Sequence, residues 1–146
     1  MADERKRFDI RMWNDSRLIG LCDIIPAVRS NGLQWMISDA WVMFQREVPD
    51  DVLQVMNAAE GDQVPIEWST VEEIARWSTQ CIDLTLRGYE NPGDAKPAIE
   101  IVAFDSTAWE FTINDSGRLD TNLLRDLGGV WVLVNERGEI QALIDE

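Results

Sequence analysis

No histidine occurs anywhere in the 146 residues. That removes the imidazole base on which Ser-His-Asp and Cys-His nucleophiles depend, and it removes the commonest ligand of transition metals. Cysteine is scarce too: only Cys22 and Cys81, far apart in the chain. A structural zinc site takes three or four soft ligands, usually in close pairs, so these two do not supply one. Both thiols are expected to be reduced, with Cys81 buried on the apolar face of a helix. Catalysis would have to rest on carboxylates, Tyr89, a lysine or a cysteine, and Cys22 has no histidine to activate it. No cofactor or metal is expected.

Long apolar runs are also missing. No uncharged stretch reaches the ~18 residues that a membrane helix needs. The charged segment Met1–Arg7 runs into Phe8 without the apolar core of a secretory signal. The expectation is a cytoplasmic chain of one domain, residues 1–146, which at this length buries roughly 70% of its unfolded surface without staples.

Basic residues are few, and their distribution is uneven. The chain has 27 acids, 13 bases and a net charge of −14. Residues 1–48 hold seven acids and seven bases, leaving 20 acids and six bases for residues 49–146. From Pro49 to Ala75 there is no base, but Asp50, Asp51, Glu60, Asp62, Glu67, Glu72 and Glu73 are all present. Such a surface repels phosphate backbones and anionic membranes, so neither nucleic acid nor membrane is an expected partner. It attracts and steers a basic protein. Charge of this kind also serves solubility alone. Lysine makes up only two of the 13 bases, a bias also met in salt-adapted proteins.

The hydrophobic pattern predicts an α+β fold, with a mostly antiparallel sheet and two main helices packed on one face. Phe8–Trp13, Leu18–Ile25 and Leu33–Phe44 read as strands of an N-terminal meander. Pro49-Asp50-Asp51 opens a helix with Val52, Leu53, Val55, Met56 and Ala59 on its apolar side, stopped by Gly61. A second helix is predicted from Thr70 to Arg87, with Val71, Ile74, Ala75, Ser78, Cys81, Ile82 and Thr85 on one stripe. Ser69 with Glu72 fits a capping box, and Glu72–Arg76 and Asp83–Arg87 are candidate i,i+4 pairs. A loop at Glu90–Pro97 follows, then strands at Ile99–Phe104 and Trp109–Ile113. A short helix capped by Asp120 or Thr121 ends at Gly128-Gly129. Two further strands, Val130–Val134 and Glu139–Leu143, complete a pair of C-terminal hairpins.

Seven tryptophans are more than the average for a protein of this size, and Trp is large enough to dominate both cores and interfaces. Trp35, Trp41, Trp109 and Trp131 lie in strand patterns and read as core, and Trp77 as half-buried. Trp68 stands before Ser69, where it is either a hydrophobic staple or an exposed interface anchor. Glu110 alternates with Trp109 and Phe111 and should face solvent. Gly128-Gly129 follows a helix rather than preceding one, so it is a stop and not a phosphate loop.

These features favour a non-enzymatic acidic protein-binding module, most concretely an immunity-type inhibitor that neutralises a basic partner such as a toxin. Its expected contact residues are Asp50, Asp51, Glu60, Asp62, Glu67, Trp68, Glu72 and Glu73. A DNA mimic is a smaller variant of that reading. The alternative is an adaptor or structural component using an apolar or strand-edge surface. A carboxylate-dependent enzyme is the lesser alternative.

Overall fold

In a computed structural model, residues 5–144 are described; residues 1–4 of the charged N-terminal segment lie outside them. The described residues form ten strands and four helices. The strands are β1 (Arg5–Arg11), β2 (Trp13–Asn14), β3 (Arg17–Leu18), β4 (Gln34–Phe44), β5 (Val64–Ile66), β6 (Ser78–Tyr89), β7 (Ile99–Phe104), β8 (Ala108–Ile113), β9 (Val130–Val134) and β10 (Ile140–Ile144). The helices are α1 (Leu21–Ile24), α2 (Asp50–Ala58), α3 (Trp68–Trp77) and α4 (Thr121–Arg125). Eight strands make one antiparallel sheet in the order β10-β9-β1-β8-β7-β6-β4-β5. Leu21, Ile24, Val52, Met56, Val71, Ile74, Ala75 and Leu124 from the four helices join one core with Phe8, Ile10, Trp109, Phe111, Ile101, Leu84, Leu86 and Ile37 from the sheet. The helices thus cover one sheet face, and the α+β class read from the sequence holds. No helix among the described residues is long and apolar enough to cross a membrane.

The first third is not a meander. Leu18–Ile25 is expected as a strand, but only Arg17–Leu18 is extended, and Leu21–Ile24 is a helical turn followed by a 3-10 turn at Ile25–Ala27. Asp23 explains the turn. Its Oδ2 accepts from the backbone N–H of Gly20 at 2.8 Å, fixing the helix start, and its Oδ1 holds Arg17 at 2.8 Å. Freed from β4, β1 inserts between β8 and β9, where Phe8 opposes Phe111 on one side and Trp131 on the other. Trp131 is half-buried against Phe8, ring centroids 5.2 Å apart.

The predicted helix Thr70–Arg87 is two elements. The helix α3 ends at Trp77, and Ser78 is already extended at φ −72°, ψ 140°. Residues 78–89 form β6, which pairs with both β4 and β7. A bulge explains the misreading. Val42 opposes Cys81 and its neighbour Trp41 opposes Asp83, so Ile82 is an extra residue. Cys81 and Leu84 therefore both reach the core at a spacing of three, which imitates a helix. Asp83 and Arg87 form no helical pair; Arg87 bonds Glu100 across the strands at 2.6 Å. The Arg76 guanidinium lies 5.7 Å from the Trp77 ring centroid, and no Glu72–Arg76 ion pair is seen among the described residues. The N-cap of α3 is Glu67, not Ser69, which lies in the first turn with Trp68 ahead of it.

Candidate functional site

On the sheet face opposite the helices, an open cleft of about 690 Å³ lies over β4, β6 and β7. Sequence alternation puts Trp35 and Ile37 on the core face of β4, which should place Trp41 there too. The bulge reverses this. Between Ser38, opposite Thr85, and Trp41, opposite Asp83, β4 carries one residue more than β6. One extra residue exchanges the faces of everything that follows. Ala40 is consequently buried, and Trp41, expected in the core, is 60% exposed. Asp39 makes the bulge by adopting φ +51°, a left-handed conformation that aspartate tolerates better than most side chains. Ala40 then donates to the carbonyl of Ala59 at 3.1 Å, which docks the end of α2 and sets Glu60 at the cleft rim.

The opposite wall is Phe104, 56% exposed. It ends β7 at a three-residue hairpin loop, Asp105 to Thr107, in which Asp105 and Ser106 both have positive φ and Thr107 N–H donates to the carbonyl of Phe104 at 2.8 Å, the geometry of a type I′ turn. Two bonds tie this turn to β6: Ser106 N–H donates to the carbonyl of Ile82 at 2.9 Å, and Asp105 N–H donates to Asp83 Oδ1 at 3.0 Å. Asp83 lies between the walls. Trp41 opposes it on one side, and Phe104 follows Ala103, the partner of Leu84, on the other. Trp41, Asp83 and Phe104 therefore stand in one cross-strand row. Thr85 and Val102, directly paired, form the next row of the floor. Asp39, Glu60 and Asp83 are the ionisable residues lining the cleft, and no base lines it.

Each acid of the expected contact set is exposed. Asp50 and Asp51 open α2, Asp62 lies in the turn after it, and Glu72 and Glu73 project from α3. Glu73 accepts from Trp77 Nε1 at 3.1 Å. Glu60 alone of the set lines the main cleft. Glu67 and Trp68 border a separate cavity of about 520 Å³ beside Trp35 and Pro65. Trp68 is half-buried, its ring centroid 4.7 Å from that of Trp35, so it packs as a first-turn residue rather than from before a Ser69 cap. Trp35 is buried with its Nε1–H unpartnered, whereas buried Trp109 donates to the carbonyl of Ile19 at 2.9 Å. Asp39, Trp41, Asp83, Thr85 and Phe104 are absent from the sequence-based set. The signal for them was Ser38-Asp39-Ala40, a polar interruption inside an apolar run.

Carboxylates meet in two other places. At the far end of the same face, Arg7 makes a bidentate pair with Asp9 (2.7 and 2.9 Å) and a third contact with Glu110 at 3.2 Å. Its Nη1 donates to the carbonyl of Gly138 in the β9–β10 turn at 3.1 Å. Glu110 does face away from the core, as expected, yet it is largely buried, and that burial raises its carboxyl pKa against the pull of Arg7. Arg7 already occupies these acids. Glu90 and Asp115 share a hydrogen bond that raises Glu90; Asp115 is lowered chiefly by the Gly117 N–H and also by that bond. They border a shallow hollow of about 180 Å³ and are open to solvent, which gives no sheltered acid–base pair.

Both cysteines are free. Cys22 is exposed, and Cys81 is buried in β6 rather than on a helix, its thiol pushed up to about 12 by burial. No group of three or more Cys, Asp or Glu among the described residues is placed to hold a metal ion. No family model, curated protein or solved structure matches this chain.

Proposed function

We propose that this protein is a non-enzymatic binding module for a basic protein, in its most concrete form an immunity-type inhibitor. The observation that carries the reading is the row Trp41–Asp83–Phe104. Two exposed aromatic rings flank a carboxylate in an open cleft rimmed by Asp39 and Glu60 and lined by no base. Large rings left in water beside a carboxylate are what a protein interface buries at its centre. The surrounding carboxylates select a cationic partner. The acids of α2 and α3 add a long-range field that speeds its approach.

The test separates contact from general attraction. A short synthetic peptide rich in arginine and lysine is titrated against wild type and a Trp41→Ala/Phe104→Ala variant at about 0.15 M salt. The two proteins carry the same charge. The variant should bind at least about tenfold more weakly. Equal affinity would mean that acidity alone attracts the peptide and that the cleft is not the contact.

A specific observation also favours the adaptor reading. β10 is an edge strand with Ile140 and Leu143 exposed, and it carries no proline, whereas the other edge, β5, is three residues long and contains Pro65. An unprotected apolar edge is a template for strand addition. Sedimentation of wild type and Leu143→Pro compares the two readings, since Leu143 pairs with Val132, whose backbone faces β1, and the Leu143 N–H points outward.

A further inference from the structure

Resting on the basic-partner reading, we infer that the cleft receives one arginine side chain of the partner, with Asp83 and Thr85 at its floor and Trp41 and Phe104 as its walls. Hydrogen bonding supplies the first argument. Thr85 is only 6% exposed, sits on the face opposite the helices between core residues Leu84 and Leu86, and its hydroxyl has no partner among the described residues. Its oxygen opens to the cleft, where it is free to accept from a ligand N–H. Asp83 is half-satisfied in the same way. Its Oδ1 takes the Asp105 N–H, and its Oδ2 has no partner among the described residues. An acceptor pair of this kind, at the base of a cleft without bases, calls for a donor that brings several N–H groups at once.

Spacing supplies the second argument. Neighbouring strands lie about 4.8 Å apart, so Trp41 and Phe104, two strands apart, are rooted roughly 10 Å from each other. A cation midway between them lies roughly 5 Å from each root, so rings turned toward the cleft can bring their centroids within the ~6 Å of a cation–π contact. A guanidinium is flat, weakly hydrated and stacks on aromatic faces. Its fork matches a carboxylate, with N–H groups to spare for a hydroxyl. A lysine ammonium is compact and strongly hydrated, and it matches neither the flat walls nor the carboxylate fork as well. The protein makes the same contact within itself on this face, where Arg7 forks onto Asp9.

The experiment titrates the full chain, isotope-labelled, with three blocked tripeptides, acetyl-Gly-X-Gly-amide, in which X is arginine, lysine or citrulline. Citrulline is flat and uncharged. The arginine peptide should bind about tenfold or more tightly than the lysine peptide, and citrulline weaker still. Shifts should centre on the Trp41 indole and the amides of residues 83–85 and 102–104. Asp83→Asn, which keeps the acceptor for Asp105, should abolish the preference, and Phe104→Leu should weaken binding several-fold. The amide spectra of the variants report their folding. Equal binding of arginine and lysine would overturn the arginine inference while leaving the basic-partner reading standing. Shifts confined to α2 and α3, or arginine binding undiminished in folded Asp83→Asn, would overturn it as well. Failure of the longer peptide to distinguish the aromatic double variant would instead remove the reading beneath it.

Discussion

Carboxylates stand at both ends of the sheet face opposite the helices, but only one end has an arginine of its own. At the β9–β1–β8 end, Asp9 and Glu110 are closed in under the β9–β10 turn, and Arg7 lies between them, itself 6% exposed. At the β7–β6–β4 end, Asp39, Glu60 and Asp83 remain open to water beside two exposed rings, and no base is near enough to line the cleft. The difference is one of solvation. Carboxylates removed from water require a counter-charge within the fold, because an unpaired buried charge costs several kcal/mol. Carboxylates left in water need none, and their surroundings then decide what they attract. Trp41 and Phe104 make these surroundings apolar, which a purely solubilising surface has no use for.

Deleting the internal arginine breaks the comparison most sharply. Arg7→Ala leaves Asp9 and Glu110 facing each other in a low-dielectric site and frees the carbonyl of Gly138. Its unfolding free energy should fall by about 3–5 kcal/mol. Urea denaturation measures this from the shift in midpoint. A loss under about 1 kcal/mol would show that water reaches the pair and that the two ends do not differ in the way described.

A second variant sets the cleft against the acids of α2 and α3. Reversing Asp50, Asp51, Glu72 and Glu73 to lysine removes the field without touching the cleft. At low salt the on-rate for the arginine- and lysine-rich peptide should fall about tenfold, with little change in off-rate. Trp41→Ala/Phe104→Ala should do the reverse. Stopped-flow tryptophan fluorescence separates the two rates in the quadruple variant. In the double variant the reporter is a fluorophore on the peptide. If both variants act on the same rate, steering and contact are not divided between these two regions.

Much of the frame was legible because local chemistry and tertiary structure agree. Strand β7 and the helix cap at Asp120, which accepts from Asn122 and Leu123, follow directly from alternation and turn residues. The hairpin across Asn135–Gly138 does so too. The cleft was not legible, and two bulges are the reason. Each adds one residue to a strand, and a period-two pattern read across such an addition assigns the wrong face. That is how Trp41 came to be expected in the core, and how Asp83 came to be expected on a helix. Arg7 and Asp9 are separated by one residue, so alternation places them on one face, but nothing local tells that a turn about 130 residues later closes over them. Of the cleft, only Glu60 could be read from charge alone.

At the open end, stability and binding should part. Thr85→Val removes the unpartnered hydroxyl at nearly constant shape, so it should leave stability unchanged or raise it by up to about 1 kcal/mol. It should still weaken the arginine tripeptide. Asp83→Asn should stay within about 0.5 kcal/mol of wild type. Thermal and urea unfolding beside the tripeptide titration read both quantities. A Thr85→Val variant that is markedly less stable would mean that the hydroxyl supports the sheet and is not reserved for a ligand.

The smallest effect is expected at the closed end, in the response of Glu110 to pH. Burial raises its carboxyl pKa, Arg7 lowers it in part, and the neighbouring charge of Asp9 raises it again, for a net upward displacement. In the unfolded chain the group returns to the ordinary glutamate range. The folded protein therefore takes up this proton at a higher pH than the unfolded one does. The cost of holding Glu110 charged is fully present above its folded pKa. It is relieved as pH falls through that value toward the unfolded one. Glu110→Gln removes the titration but keeps a carbonyl that accepts from Arg7. At neutral pH the variant should be as stable as wild type or slightly more so. On acidification to about pH 5, wild type should gain on the variant, because only wild type sheds a buried charge. Paired urea midpoints at the two pH values give the sign directly. A variant that is clearly less stable at neutral pH would mean that Arg7 needs both negative charges. The attraction would then outweigh the burial cost, and the closed end would be held by a charge triad rather than by the Arg7–Asp9 pair.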